Sequence, residues 1–170
     1  MNADQVAERL ASRFPDTFVA RGEVTTMVES EALLVTLEVL RDDEDLALDW
    51  LSDVSATDWP ERTPRFWVAY HLYSTSHRHR LRLKVGVDEA SPRVPSVTEL
   101  FPTANWPERE VFDLMGIEFE GHPDLRRILL PDDWEGHPHR KTEGLGGVPT
   151  RYKGGAFIPP VDERIGGTSS

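Results

Sequence analysis

The alternation of apolar and polar positions is sharpest between residues 66 and 87, where two runs of period two follow one another. Phe66, Val68, Tyr70 and Leu72 alternate with Trp67, Ala69, His71 and Tyr73, so both faces are apolar and the run predicts a central strand. After a polar turn at Ser74-Thr75-Ser76, Leu81, Leu83, Val85 and Val87 alternate with Arg80, Arg82 and Lys84. That pattern predicts a strand with one buried face and one solvated or partner-facing face, and the two runs form an antiparallel hairpin. Upstream, Val6, Leu10 and Phe14, with Ala7 and Ala11, make one stripe of an amphipathic helix from Ala3 to Phe14, ended by Pro15. A single strand is expected over Phe18 to Val28, where β-branched residues are dense. Ser30 then caps a helix carrying Leu33, Leu34, Leu37 and Leu40. Leu46 to Ser55 reads as a further strand with an irregular end. Pro92 and Pro95 close the hairpin region, and Ser96 to Phe101 predicts a short helical turn. Trp106, Val111, Leu114 and Met115 fall at helical spacing within Asn105 to Met115, stopped by Gly116. The predicted fold class is α/β of the α+β type, an antiparallel or mixed sheet with helices packed on it.

Regular patterning ends at Lys141. The last 29 residues hold seven Gly and three Pro, which break any period and cannot support a core of their own. The expected division is one globular domain over residues 1–141 and an extended Gly/Pro-rich arm over 142–170. The arm keeps Val148, Tyr152, Phe157, Ile158 and Val161, which a pure spacer does not need, so it reads as a segment laid on a partner and ordered by binding.

Composition narrows the chemistry. With 170 residues and 38% hydrophobic content, the chain can bury one core but not a second catalytic domain. It has no Cys, which excludes disulfides and thiolate ligation of iron–sulfur clusters or zinc by this chain. A formal charge of −11 opposes a nucleic-acid surface, since 19 cations against 30 acids cannot neutralise a phosphate backbone. The cationic strand around Arg78, Arg80, Arg82 and Lys84 is then expected to meet an acidic patch on another protein. No signal-like start and no apolar run near the roughly 18 residues of a spanning helix occur. The expectation is a cytoplasmic chain that reaches a membrane only through partners.

The tetrapeptide Glu-Gly-His-Pro occurs twice, at residues 120–123 and 135–138, followed by Arg126-Arg127 and by Arg140-Lys141 respectively. Each copy sets a flexible Gly, a titratable imidazole and a fixed φ side by side, a shaped turn that presents cations. Glu108, Glu110 and Asp113 gather on the helix before them and could in principle share a proton for acid–base work. Arg109 and Asp113 stand at i,i+4, however, so a salt-bridged helix face is the stronger expectation. His77, His79, His137 and His139 suggest metal binding, but cations flank three of them and no H-E-x-x-H helix or Cys partner exists. No phosphate-cradling glycine loop and no nucleophile with a base partner are legible. A standalone acid–base or metal hydrolase is the enzyme alternative.

Residues 104–119, Ala-Asn-Trp-Pro-Glu-Arg-Glu-Val-Phe-Asp-Leu-Met-Gly-Ile-Glu-Phe, running through the two Glu-Gly-His-Pro turns to Lys141, resemble the signature of one family, the C-type (30-kDa-type) subunit of bacterial NADH:quinone oxidoreductase, respiratory complex I. Pro107 stands where that family usually has an aromatic, and His139-Arg140-Lys141-Thr142 where Leu-Arg-Lys-Asp is usual; neither departure removes a charged position. The resemblance implies a non-catalytic scaffold in the peripheral arm of a proton-translocating complex, on the cytoplasmic side of the cell membrane. It implies no cofactor on this chain, with FMN and iron–sulfur clusters in partner subunits, and a place beside the D-type, quinone-site subunit and cluster-bearing neighbours. Glu108, Arg109, Glu110, Asp113, Arg126, Arg127, Arg140 and Lys141 are the expected interface residues. The equivalent subunit of a membrane-bound hydrogenase or related dehydrogenase is the sister possibility.

Overall fold

The computed structural model describes residues 1–143, so the arm expected over 142–170 lies outside the described residues except for its first two positions. Helix α1 spans Ala3–Ala11, and Asn2 opens it with a capping box, in which its side chain accepts from the Gln5 amide while Gln5 accepts from the Asn2 amide. Strands β1 (Thr17–Ala20) and β2 (Glu23–Val28) replace the single strand expected over residues 18–28. They form an antiparallel hairpin with Ala20 opposite Glu23, because Arg21 and Gly22 both take positive φ, 55° and 78°, as a tight two-residue turn requires. The Arg-Gly pair hid this turn, since Arg rarely adopts that conformation.

Ser30 opens a 3-10 turn, Ser30–Ala32, instead of capping helix α2, which spans Leu33–Asp42 and has no side-chain cap. Strand β3 spans Trp50–Asp58, four residues later than its predicted start. Residues 46–49 instead fold back, with the Leu48 amide donating to the Leu40 carbonyl and Ala47 at φ 42°, which drives Leu46 and Leu48 into the core. Strands β4 (Phe66–Tyr73) and β5 (Arg80–Val87) follow the predicted hairpin. The hairpin ends at Val87, before Pro92 and Pro95 as expected. A short strand β6, Arg93–Pro95, pairs in parallel with β7, Glu118–Glu120, and helix α3, Asn105–Met115, lies between them.

The five-stranded sheet has the order β1-β2-β5-β4-β3 and is mixed, because β2 runs parallel to β5 while every other pair is antiparallel. The result is an α+β fold. Phe66, Val68, Tyr70 and Leu72 of β4 and Leu81, Leu83, Val85 and Val87 of β5 point to one side, where they join Val6 and Leu10 of α1, Leu33, Leu37 and Leu40 of α2, and Val111 and Leu114 of α3 in one core. Thr103, in the turn before α3, donates to the Leu51 carbonyl at 3.0 Å and so fixes α3 to β3.

Gly86 of β5 lies against Pro64 of the β3–β4 connection, and a Cβ at this position would sit 2.3 Å from the Pro64 Cγ. A rigid ring cannot yield as a flexible side chain would. Gly86→Ala is expected to displace the 59–65 connection and to lower stability by about 1–3 kcal/mol, the usual cost of overpacking. Urea unfolding followed by tryptophan fluorescence measures it, and an unchanged midpoint would show that the connection adapts without loss.

Candidate functional site

Residues 121–143 contain no helix or strand, yet they follow one defined path along α3. The main anchor is Asp113, fully buried. Its Oδ2 accepts the successive amides of Ile128, Leu129 and Leu130 at 3.1, 2.8 and 2.9 Å, and its Oδ1 accepts Arg127 Nη1 at 2.7 Å. Burial alone would raise this carboxyl. The three amides and the guanidinium outweigh it and hold the group below the usual aspartate range. Arg127 also reaches the Trp134 carbonyl at 3.3 Å, tying two stretches of the loop together.

Arg109 does not form the expected i,i+4 pair with Asp113. Its side chain is buried and donates instead to the carbonyls of Arg126 and Arg127, at 3.0 and 3.4 Å, with the guanidinium 4.8 Å from the centre of the Trp106 ring. Helix α3 thus offers an anion to loop amides and a cation to loop carbonyls. Much of the charged helix face is interior, because Arg109 and Asp113 meet backbone groups that have no partners of their own.

The two Glu-Gly-His-Pro turns clamp the two ends of α3. Gly121 and Gly136 both adopt φ 83°, so the copies share a backbone shape. His122 accepts the Asp124 amide on Nδ1, which leaves the proton on Nε2 to be donated to the Asn105 carbonyl at 3.2 Å, at the start of the helix. His137 uses the other nitrogen, with Nδ1 donating to the Asp113 carbonyl at 3.0 Å near the helix end. Arg140 completes that end, donating to the Met115 and Gly116 carbonyls at 2.7 and 3.3 Å, where a cation suits the helix dipole. Gly116 is required here twice over. Its φ is +68°, and a Cβ would lie 2.4 Å from His137 and 2.7 Å from Arg140.

A second anchor, at the end of β3, has no signal in the sequence. Asp58 takes a two-pronged contact from Arg65, at 2.7 and 2.8 Å, and accepts the Lys141 amide at 2.7 Å. The guanidinium carbons of Arg65 and Arg140 lie 5.0 and 5.2 Å from the centre of the Phe66 ring. This holds residues 140–141 against the sheet.

Glu108 belongs to a different contact. It is completely buried, accepting Ser96 Oγ and the Val97 amide at 2.7 Å each, with His122 Nε2 4.0 Å away. Burial pushes its carboxyl up to about 7, against the lowering effect of those two hydrogen bonds. Of the expected interface residues, Glu108 and Asp113 are therefore enclosed, Arg109 is buried, Arg127 and Arg140 are partly covered, and Glu110, Arg126 and Lys141 are exposed. Arg126 pairs with Asp124, at 2.6 and 2.7 Å, on the surface. The four candidate histidines fall in two places, with His77 and His79 stacked at the β4–β5 turn and His137 and His139 on the loop. Among the described residues no group of three or more His, Cys, Asp or Glu side chains is placed to hold a metal ion. Among the same residues no helix is long and apolar enough to cross a membrane.

A mixed sheet covered on one side by three helices, with a long irregular segment locked along the third, defines a domain of the 30-kDa-type subunits of respiratory dehydrogenases. The family profile described as "Respiratory-chain NADH dehydrogenase, 30 Kd subunit" matches residues 26–148, and the chain belongs to that family. The C-type subunit of the NADH-quinone oxidoreductase of Nocardioides sp. is 46% identical over 171 residues, covering 95% of this chain and 68% of the relative. The corresponding subunit of Saccharopolyspora erythraea is 50% identical over 147 residues, covering 86% and 59%, and that of Acidothermus cellulolyticus 47% over 169 residues, covering 95% and 88%. The chain thus spans from about three fifths to nine tenths of the length of these relatives. Among solved structures, "Nqo5 of the trypsin-resistant fragment (1-134)" is similar with a TM-score of 0.60 at 33% identity, covering 72% of this chain and 98% of that one. A chain of the membrane-bound sulfane sulfur reductase, an archaeal respiratory membrane complex, shares the fold with a TM-score of 0.71 at 23% identity, over 84% of this chain and 85% of that one.

The neighbouring arginines Arg126 and Arg127 are expected to behave differently. Arg127→Glu sets a carboxylate against buried Asp113 and is expected to cost about 3 kcal/mol or more, with the loop becoming sensitive to protease. Arg126→Glu loses an exposed pair and is expected to stay within about 1 kcal/mol of the parent. Equal losses in urea melts would contradict the anchor role of Arg127.

Glu108 makes a distinct contribution to the pH dependence of stability. Its folded pKa lies above the unfolded value, so the stability it contributes is present below about pH 4.3 and is lost as the pH rises through about 7. Glu108→Gln keeps an acceptor for the Val97 amide without the charge. Comparing melts at pH 5 and pH 8, the variant is expected to gain of order 3 kcal/mol on the parent toward the higher pH. A parallel pH profile in the two proteins would refute the shift.

Proposed function

We propose that this chain is a structural subunit in the peripheral arm of a proton-translocating NADH–quinone oxidoreductase, on the cytoplasmic side of the cell membrane. It carries no redox group of its own. Electrons pass from NADH through FMN and iron–sulfur clusters in partner subunits to quinone, and this domain holds cluster-bearing and quinone-site neighbours in register. The named relatives support the assembly, and the absence of any Cys from the chain supports a role without clusters. The fold shared with a sulfane sulfur reductase complex supports a general use of this domain in respiratory assemblies, and the identity to subunits of NADH-quinone oxidoreductases favours the NADH-linked one.

The observation that carries this reading is the use made of the buried charges in the signature. Asp113, Arg109 and Arg127 bind backbone groups of residues 126–134, a use that shapes a surface rather than poising a group for reaction. A loop fixed before it meets a partner loses little conformational entropy on docking. The loop exposes Leu129 and Arg126, and helix α3 exposes Trp106 and Glu110, with Leu129 and Trp106 60% and 63% exposed.

Purification of the tagged full chain from solubilised host membranes tests the proposal. Flavin fluorescence and non-haem iron are expected to co-purify in fixed ratio to the chain, and a version ending at Lys141 is expected to retain less of both. Recovery of the chain alone, without flavin or iron, would overturn the assembly role.

A further inference from the structure

The side of the sheet opposite the helices is not a uniformly polar surface. Register places Phe18, Thr25, Arg82, His71 and the exposed Asp53 in one cross-strand row and Met27, Lys84, Ala69 and Ser55 in the next, with Trp50 opposite Tyr73 at one end and Trp67 toward the other. Phe18, Met27 and Trp50 remain exposed at 43, 36 and 49%. Single exposed apolar residues are ordinary, but here Phe18 and Met27 on neighbouring strands at one edge, and Trp50 beside Tyr73 at the other, leave large apolar side chains at both edges of one face, as on surfaces that meet partners.

Two of the three cations on these strands lie on aromatics, and the third, Arg82, donates to Thr25. The Arg80 guanidinium carbon is 5.7 Å from the Tyr73 ring centre, the Lys84 ammonium is 5.5 Å from the Trp67 ring centre, and Arg62 of the adjoining connection is 4.4 Å from the Trp59 ring centre. Among the described residues, the carboxylate paired with these strands' cations is Glu23, which meets Arg82 at 3.3 Å. Lys84 is held below its ordinary pKa first by burial and then by Arg82 and Arg62, so mutual repulsion persists on this side of the sheet. In a chain of net charge −11 this is a local reversal of sign.

We propose that this open sheet face is a second docking surface, separate from the α3 loop, and that it takes an acidic, extended segment of another polypeptide. Carboxylates of the segment meet Arg80 and Lys84 while its apolar side chains and backbone lie across Trp67, Tyr73 and Trp50. Bringing an anion to cations already stacked on rings relieves their repulsion without reorganising the face. The overall negative charge disfavours a polyanion such as nucleic acid, whereas a short acidic segment delivers only the few charges the face can match.

The inference rests on the chain working within an assembly, and site-specific photo-cross-linking of the full chain in host membranes separates the two. Trp67→p-benzoylphenylalanine and Tyr73→p-benzoylphenylalanine probe the face, and Leu129→p-benzoylphenylalanine probes the loop. Positions 67 and 73 are expected to capture the same stretch of one other polypeptide, rich in Asp and Glu. Adding Arg80→Glu with Lys84→Glu is expected to lower that capture at least about tenfold while leaving capture from position 129 unchanged, which also reports an intact fold. Capture from 129 but not from 67 or 73 would overturn the second surface and leave the assembly role standing. So would capture of a basic segment, of nucleic acid, of a second copy or of this chain's own residues 144–170, or capture indifferent to the charge reversal. Capture from none of the three positions would overturn the assembly role as well.

Discussion

One carboxylate decides whether residues 121–143 have a structure at all. A stretch of this length without helix or strand must find partners for its amides and carbonyls outside itself, and ordering each residue costs about 1–2 kcal/mol of conformational entropy. Asp113 supplies an acceptor for three successive amides, and Arg127, held by the same carboxylate, carries the constraint on to Trp134. The other fastenings, at His122, His137, Arg140 and Asp58, act on a segment whose middle is already set.

Glu108 and Asp113 stand on one helix, both fully buried, and yet their carboxyls shift in opposite directions. Burial acts on both. The difference lies in the number and kind of donors, since Asp113 has three amides and a guanidinium while Glu108 has one hydroxyl and one amide. Helix α3 is thus bound on one side by a fixed charge and on the other by a group able to change its protonation near neutrality, where it meets the turn leading out of β6.

The hairpin of β4 and β5 was fully legible, because strict alternation over eight residues leaves one choice of face for each side chain. Helix α3 was legible from its apolar spacing and Gly116, and the family from the signature that follows. The β1–β2 turn was not, since Arg21 occupies a position that usually announces itself by Gly or Asn. Nor was the start of β3, where Leu46 and Leu48 mimic strand alternation while filling the core from a turn. The charged candidates were legible as residues and as a salt-bridged helix face, but not the partners they take, since Asp113 pairs with Arg127 of the loop and not with Arg109. A carboxylate that will bind backbone amides looks, in sequence, the same as one that will bind water, and the partners of Asp58 lie 7 and 83 positions away.

The parallel contact between β2 and β5 has a consequence for the order in which the molecule is built. Thr25 and Arg82, bonded across that seam, are 57 residues apart, whereas β3, β4 and β5 join through short local connections. Closing so long a chain segment carries an entropic cost that local hairpins avoid, so the three-stranded meander is the natural early structure and the N-terminal hairpin the late one. On a ribosome the β1–β2 hairpin must wait until β5 has emerged before the free side of β2 has its partner. Until that hairpin docks, β5 is itself an edge strand, unpaired along one side and open to the wrong neighbour.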